Sequence, residues 1–212
     1  MKYLTIKKSD YFTKIYLAII IKTPSIIIGA DMRKFFLTLI ALSSLSLLNN
    51  VNAKNNNGED KIIAVPMNLV DEHGVNNNIG DVKITSSKYG VIFTPNLQNL
   101  PSGIHGLHIH ENANCKPKEK DGKISPAEAA GDHYDPKKTK KHAGPWGDGH
   151  LGDLPALYVD EKGKSTYPVL APRLKIDDIH NRTLMIHVHG DNHTDNPPKG
   201  GSAERIACGI IK

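Results

Sequence analysis

Residues 106–112 read GLHIHEN and place two histidines, His108 and His110, one residue apart. The alternating character of this stretch predicts a β-strand. In a strand, both imidazoles project from one face, while Leu107 and Ile109 face the other way. An isolated pair of this kind is weak evidence for a metal site, so its weight depends on the other histidines of the chain.

A second stretch, LMIHVHGD at residues 184–191, repeats the pattern with His187 and His189. Between the two lie AGDHYDP at residues 130–136 and KHAGPWGDGHLGD at residues 141–153. These stretches contain seven candidate metal ligands: His108, His110, His133, His142, His150, Asp153 and His187. Imidazole suits zinc and copper, and a carboxylate can complete a tetrahedral zinc site. Because seven ligands are too many for one four-coordinate ion, the sequence predicts two metal ions side by side.

Outside these stretches the chain consists of short alternating segments separated by turn signals, which predicts an all-β sandwich or flattened barrel. The predicted strands are residues 61–70, 81–87, 90–93, 103–111, 156–159, 165–169, 183–189 and 205–211. Residues 112–153 and 190–203 lack a strand pattern. Loops this long are usually functional, and these two contain or adjoin most of the candidate ligands.

The first quarter of the chain reads as a targeting segment. Residues 32–53 combine a basic pair, an apolar run and a small-residue end at Ala53, which is typical of a secretory signal peptide. Residues 1–31 precede it. We favour translation from Met32, with a long n-region or a first anchor helix as alternatives. Residues 54–61 are polar and predicted to be disordered, and residues 62–212 form the predicted domain.

The basic character of the chain comes mostly from this targeting segment. Seven of the 27 basic and two of the 22 acidic residues lie in residues 1–53, which leaves 20 of each in the mature chain. The pI near 9.0 is therefore no evidence for nucleic-acid binding. We expect no nucleic-acid partner and no stable membrane association once the signal peptide is removed.

The only two cysteines, Cys115 and Cys208, lie in the exported part. In an oxidising compartment two cysteines most simply form one disulfide, and two free thiols are the alternative. The closed loop of about a hundred residues would stabilise the fold by roughly 4–5 kcal/mol in the chain-entropy model.

The mature chain resembles copper-zinc superoxide dismutase of the bacterial periplasmic type. The resemblance covers residues 62–212, and the stretches that carry it are GLHIHEN, AGDHYDPKKTKKHAGPWGDGHLGDLPALYV, PVLAPRLK, LMIHVHGDN and ERIACGI. It implies an eight-stranded Greek-key β-barrel or sandwich with two long functional loops. The sandwich architecture is the one that this enzyme family is known for.

The resemblance also implies a role for each candidate ligand. Copper would be held by His108, His110, His133 and His187. Zinc would be held by His133, His142, His150 and Asp153. His133 would thus be shared, which explains why seven residues suffice for two four-ligand sites.

Further residues match the family's motifs. Asp191 matches a carboxylate that links a copper ligand to a zinc ligand, and Arg205 matches the active-site arginine beside copper. Cys115 and Cys208 match the family's disulfide. His105 matches a structural position and is not counted as a ligand.

The implied activity is that of superoxide dismutase in the periplasm, as antioxidant defence. With one copper and one zinc per subunit, cycling between Cu(II) and Cu(I) would convert superoxide to dioxygen and hydrogen peroxide. His133 and Arg205 would be the catalytic residues. The alternative is a copper-binding or copper-delivery protein of the same fold without turnover, and a zinc hydrolase fits less well.

Some residues are open to more than one interpretation. His189 occupies a position where the family usually has a small residue, so we expect it to hydrogen-bond near a ligand or to line the channel. Asp132 precedes His133 where relatives commonly have glycine. Trp146 is a candidate contact in a homodimer, or a lid over the zinc loop. Four lysines are candidates for steering superoxide or are simply solvated: Lys116, Lys118, Lys120 and Lys199.

Overall fold

The structure is a computed structural model, and it describes residues 62–212. The predictions for residues 1–31, 32–53 and 54–61 lie outside the described residues. Within 62–212, no helix is long and apolar enough to cross a membrane.

Strands dominate the described residues, which confirms the predicted all-β class. The strands are β1 (Ile63–Asp71), β2 (Gly74–Ser87), β3 (Gly90–Leu97), β4 (Gly103–His105), β5 (Leu107–His110), β6 (Lys118–Lys120), β7 (Lys123–Ser125), β8 (Leu157–Val159), β9 (Val169–Ala171), β10 (Arg182–His187) and β11 (Arg205–Ile211). Short 3₁₀ segments lie at Glu128–Ala130, Ile176–Asp178 and Pro198–Gly201.

Seven strands form one antiparallel sheet in the order β5-β10-β11-β1-β2-β3-β9, and β4 pairs separately with β8. β4 and β5 are the two halves of the predicted strand 103–111, which is interrupted at Gly106. Counted as one strand, they give eight strands in all, as predicted. β6 and β7 form an additional hairpin within the long loop 112–153. β3 and β9 lie at one end of the seven-stranded sheet and β5 and β10 at the other, so the connections from β3 to the strand β4–β5 and from β9 to β10 cross between the two ends, as in a Greek key.

A single apolar cluster explains why the sheet curls. Val65 on β1, Phe93 on β3 and Ile186 on β10 are almost fully buried and belong to the same cluster. β3 and β10 lie four strands apart in the sheet order, so a flat sheet would keep them separate. The sheet therefore closes around its apolar face as a flattened barrel.

Several strand boundaries differ from the prediction; for example, β3 extends to Leu97 rather than to residue 93. β2 begins at Gly74 rather than at residue 81, because its polar first half also pairs with β1. Ser165 makes only an isolated bridge to Leu97, and the ladder with β3 starts at Val169. β10 ends at His187, next to a bulge in its pairing with β11.

Cys115 and Cys208 form a disulfide, as predicted, with an S–S distance of 2.09 Å and a Cα–Cα distance of 5.9 Å. They are 93 residues apart in the sequence and are both buried. The bond attaches the start of loop 112–153 to the middle of β11. It therefore anchors an irregular segment to the sheet.

We expect the Cys115→Ala/Cys208→Ala variant to lose about 4 kcal/mol of unfolding free energy, because the unfolded chain regains the entropy of the open loop. Urea unfolding of the metal-free protein, followed by circular dichroism, measures the loss. Wild-type protein reduced with dithiothreitol is the control and should lose a similar amount. If both samples unfold within about 1 kcal/mol of oxidised wild type, loop closure is not what the bond contributes.

Candidate metal centre

Loop 112–153 brings its histidines to β5 by returning twice alongside that strand. His133 forms an isolated backbone bridge with His110, and Asp153 forms another with His108. On its other side β5 pairs with β10, which ends at His187. Residues that are far apart in the sequence are thus held against one strand by backbone hydrogen bonds.

The structure brings all seven candidate ligands together in two groups. The first group is His108, His110, His133 and His187, and the second group is His133, His142, His150 and Asp153. Within each group the candidate ligand atoms lie within 4.8 Å of one another. His133 belongs to both groups, so the two sites share one imidazole.

Backbone carbonyls orient two rings of the first group. His110 donates from Nδ1 to the carbonyl of Gly131 at 2.9 Å, and His187 donates from Nδ1 to the carbonyl of Ala203 at 2.9 Å. This leaves Nε2 of each ring as the free nitrogen. The two Nε2 atoms face each other at 3.4 Å. Two neutral rings with lone pairs this close are expected where a cation lies between them.

Asp191 links the two groups, because its carboxylate contacts one histidine of each. Its carboxylate accepts from Nε2 of His108 at 2.5 Å and from Nε2 of His142 at 2.8 Å. The remaining nitrogens, Nδ1 of both rings, are buried and have no hydrogen-bond partner. A carboxylate that binds the far nitrogen of a metal ligand fixes the orientation of the ring and increases its basicity.

In the second group one carboxylate oxygen faces three rings. Oδ1 of Asp153 lies 3.0, 3.1 and 3.4 Å from Nδ1 of His133, His142 and His150, respectively. Nε2 of His133 is buried without a hydrogen-bond partner, and because Nδ1 faces Asp153 it is the nitrogen left for the first group. The two nitrogens of His133 therefore serve different groups, as a shared imidazole must. Three histidines and a carboxylate at such distances fit a tetrahedral zinc ion.

Burial keeps the imidazoles of the first group neutral. It lowers the pKa of His108 to about 3 and the pKa of His133 to about 4. Burial also lowers the pKa of His110 and of His187 well below the ordinary value. A neutral imidazole has the lone pair that a metal ligand needs, so this group is ready to bind a cation at neutral pH.

The second group has the opposite electrostatic character. Burial would lower the pKa of His142, but the nearby carboxylates of Asp153 and Asp191 outweigh burial and raise that pKa to about 9. Burial would raise the pKa of both carboxyls, but the histidines hold the pKa of each well below its usual range. In the metal-free protein His142 therefore carries a proton that a zinc ion must displace.

Arg205 lies beside the first group, since it pairs across the sheet with His187. One guanidinium nitrogen donates to the carbonyl of Ala127 at 2.7 Å and lies 3.0 Å from the carboxylate of Glu128. The other donates to the carbonyl of Gly131 at 2.7 Å. Burial lowers the pKa of Arg205, with partial compensation by Glu128, and the group stays cationic. Three fixed acceptors hold a positive charge next to the imidazoles.

Sequence reasoning missed Arg173, which stabilises the second group from outside. Its guanidinium donates to the carbonyls of Gly144, Pro145, Gly149 and His150 at 2.5–3.1 Å. These four acceptors belong to one loop segment that carries two candidate ligands. The only available signal was the position of Arg173 in the stretch PVLAPRLK, which does not identify its partners.

Two further histidines were assigned from the sequence. His105 is buried, and its two ring nitrogens lie 2.8 Å from the carbonyl oxygens of His187 and Pro101, which agrees with a structural role. His189 is exposed, and its ring makes no hydrogen bond or ion pair within residues 62–212. Of its two expected roles, the hydrogen bond near a ligand is therefore absent among the described residues, and lining the channel stays a prediction.

The geometry of two ligand groups with a shared histidine is accompanied by sequence similarity. The family model for copper/zinc superoxide dismutase matches residues 78–211, which is more than half of the chain. The chain belongs to the copper/zinc superoxide dismutase family.

Relatives of this family are similar over most of their length. The chain is 51% identical over 162 residues to superoxide dismutase [Cu-Zn] of Actinobacillus pleuropneumoniae, covering 75% of this chain and 85% of that relative. It is 56% identical over 150 residues to the protein of the same name from Escherichia coli strain K12, covering 70% and 87%. The solved structure of Cu/Zn superoxide dismutase from Brucella abortus is 47% identical, has a TM-score of 0.71, and matches 72% of this chain and all of that one.

We expect Asp191→Asn to weaken zinc binding by about 10- to 100-fold, because an amide no longer accepts charge-assisted hydrogen bonds from both His108 and His142. Competition with a zinc chelator measures the affinity. Asp148→Asn is the matched control, since it removes the same charge from an exposed position of loop 112–153. Equal zinc affinities for the two variants would rule out this role for Asp191.

Proposed function

We propose that this protein is a superoxide dismutase that binds one copper and one zinc ion per subunit. The observation that carries the proposal is the membership of His133 in both ligand groups. A single mononuclear site does not need a histidine with one nitrogen in each of two groups. The unpartnered buried nitrogens of His108, His133, His142 and His150 fit this pair of ions.

We assign copper to the first group and zinc to the second group. Four neutral imidazoles suit copper, and three imidazoles with one carboxylate suit zinc. When bound, copper supplies the one-electron redox chemistry by which one superoxide becomes dioxygen and a second becomes hydrogen peroxide, while zinc has a structural role. The second superoxide also needs two protons, and the chain must help to deliver them.

The residues of the chain have three tasks in this reaction. Arg205 attracts the anion and orients it beside the first group, because its charge is buried and fixed. Nε2 of His133 has no hydrogen-bond partner and can hold a proton for the reduced product. Asp191 keeps His108 and His142 in their orientations. A copper-delivery protein needs neither the arginine nor the shared histidine, so the complete set favours turnover.

We propose that the protein acts in the periplasm. The support is the signal-peptide pattern of residues 32–53, together with the disulfide, which is typical of oxidising compartments. The balanced charge of the mature chain supports the absence of a nucleic-acid partner and of stable membrane association. We also propose a homodimer, supported by the exposure of Trp146, whose side chain is large and apolar.

The activity is tested with purified protein loaded with copper and zinc. We expect superoxide consumption that is lost after treatment with a chelator and regained when both metals are restored. A fully loaded protein that does not consume superoxide would contradict the proposed function and favour copper storage or delivery.

The role of Arg205 is tested by Arg205→Gln, which we expect to lower kcat/KM about tenfold or more because the fixed positive charge beside the site is lost. Arg205→Lys is the matched variant and should retain part of the rate, since it keeps the charge but not the planar set of donors. Copper and zinc contents, measured by mass spectrometry, should be equal in all three proteins. An unchanged rate in Arg205→Gln at full metal content would exclude the assigned role.

A further inference from the structure

An ion pair that no ligand assignment explains lies directly beside the shared histidine. The amine of Lys199 contacts the carboxylate of Asp132, which is the residue before His133. Lys199 belongs to loop 190–203, whereas Asp132 belongs to loop 112–153. Both residues, with His133 and His150, line a cavity of about 660 Å³. The pair thus connects the two functional loops, and it lies in the wall of a solvent-accessible cavity next to the metal site.

The backbone holds both partners in place. The carbonyl of Asp132 accepts from the backbone N–H of Glu111 at 3.1 Å, just after β5. Lys199 has a left-handed backbone with φ of 55°, and the next residue donates to the carbonyl of Thr194 at 2.9 Å. The side chains are still partly exposed, 65% for Asp132 and 45% for Lys199. The pair is therefore positioned by the fold and accessible to small ions.

Glu128 forms two further ion pairs near the site. Glu128 lies 3.0 Å from the guanidinium of Arg205 and 2.8 Å from the amine of Lys120. We call Lys120, Glu128, Asp132, Lys199 and Arg205 the charged rim. It carries three positive and two negative charges, because the hydrogen bond from Lys199 keeps the pKa of Asp132 low and the carboxyl ionised.

One of the two rim carboxylates has a clear task, since Glu128 helps to fix Arg205. Asp132 makes no hydrogen bond or ion pair with Arg205 within residues 62–212, and its charge acts on that guanidinium only through space. The hydrogen bond of its carboxylate goes to Lys199 alone. Asp132 therefore fixes a lysine beside the cavity and at the same time cancels the charge of that lysine.

We propose that Asp132 is a positioning residue that limits the attraction of small anions to the site by neutralising Lys199. This inference rests on the proposed function, because the anion in question is superoxide. The attraction between an exposed charge and an approaching anion is largest at low salt, and it is screened when a higher ionic strength shortens the Debye length. Removing the carboxylate changes the net charge of the rim from +1 to +2. The rate of encounter should then increase.

The experiment compares Asp132→Asn, Lys199→Gln, the double variant and wild type, all loaded with copper and zinc. We expect Asp132→Asn to raise kcat/KM about two- to fourfold at 10 mM ionic strength, and Lys199→Gln to lower it by a similar factor. The double variant should return to the wild-type rate. All four rates should converge near 0.5 M salt.

A second readout avoids turnover. Azide is a small anion that binds copper, and its dissociation constant can be measured by visible absorption. We expect Asp132→Asn to bind azide about two- to fourfold more tightly at low salt, and Lys199→Gln to bind it more weakly. Glu161→Gln is the matched control, because it removes one exposed negative charge outside both loops and should change neither quantity.

The outcomes separate the two proposals. A wild-type protein that binds azide with the predicted variant differences but consumes no superoxide would contradict the proposed function alone. If Asp132→Asn leaves both the rate and the azide affinity unchanged or lowers them, the role of Asp132 is wrong. That role is equally wrong if the effect of Asp132→Asn does not depend on salt. Should Asp132→Asn fail to fold, Lys199→Gln still tests the charge, and an unchanged salt profile would overturn the inference.

Discussion

The shared imidazole of His133 is the constraint on which the rest of the molecule depends. Each of its two nitrogens belongs to a different ligand group, so both groups must assemble around one rigid ring. One group is built mainly on β5 and β10, and the other entirely on loop 112–153. The loop must therefore hold its ligands against the sheet as accurately as a paired strand would. The backbone bridges from His110 to His133 and from His108 to Asp153 provide that precision.

A loop of about forty residues does not hold such a geometry by itself, because ordering each residue costs about 1–2 kcal/mol of backbone entropy. The fold supplies anchors along its length. The disulfide ties the beginning of the loop to β11, Arg205 binds two carbonyls in its middle, and Arg173 binds four near its end. Asp191 adds a connection from the second loop. The metal ions then complete a site whose ligands are already oriented.

The sequence identified the residues that the structure brings together in the two groups, because their pattern is local. Two strands with alternating histidines and one loop rich in histidine suffice to identify both groups, and the all-β class follows from alternation. The sequence did not predict the contacts of Arg173, since its partners are backbone carbonyls, which every residue has. His189 illustrates another limit: alternation placed it on the face of His187, but the bulge next to β10 ends the strand first. The ladder of β9 also begins later than alternation suggests, because only cross-strand pairing sets such a boundary.

The four carbonyl contacts of Arg173 have a consequence for the order of assembly. This residue follows β9 and precedes the crossover to β10, yet it shapes a loop segment that lies more than twenty residues earlier in the chain. His187 and Asp191 come later still. The first group has all its ligands only once His187 has been synthesised, and the second group, complete at Asp153, receives its supporting contacts only from Arg173 and Asp191. An extended chain, such as one that passes through a narrow pore, therefore carries neither metal ion. Metal loading must then take place in the compartment in which the barrel closes.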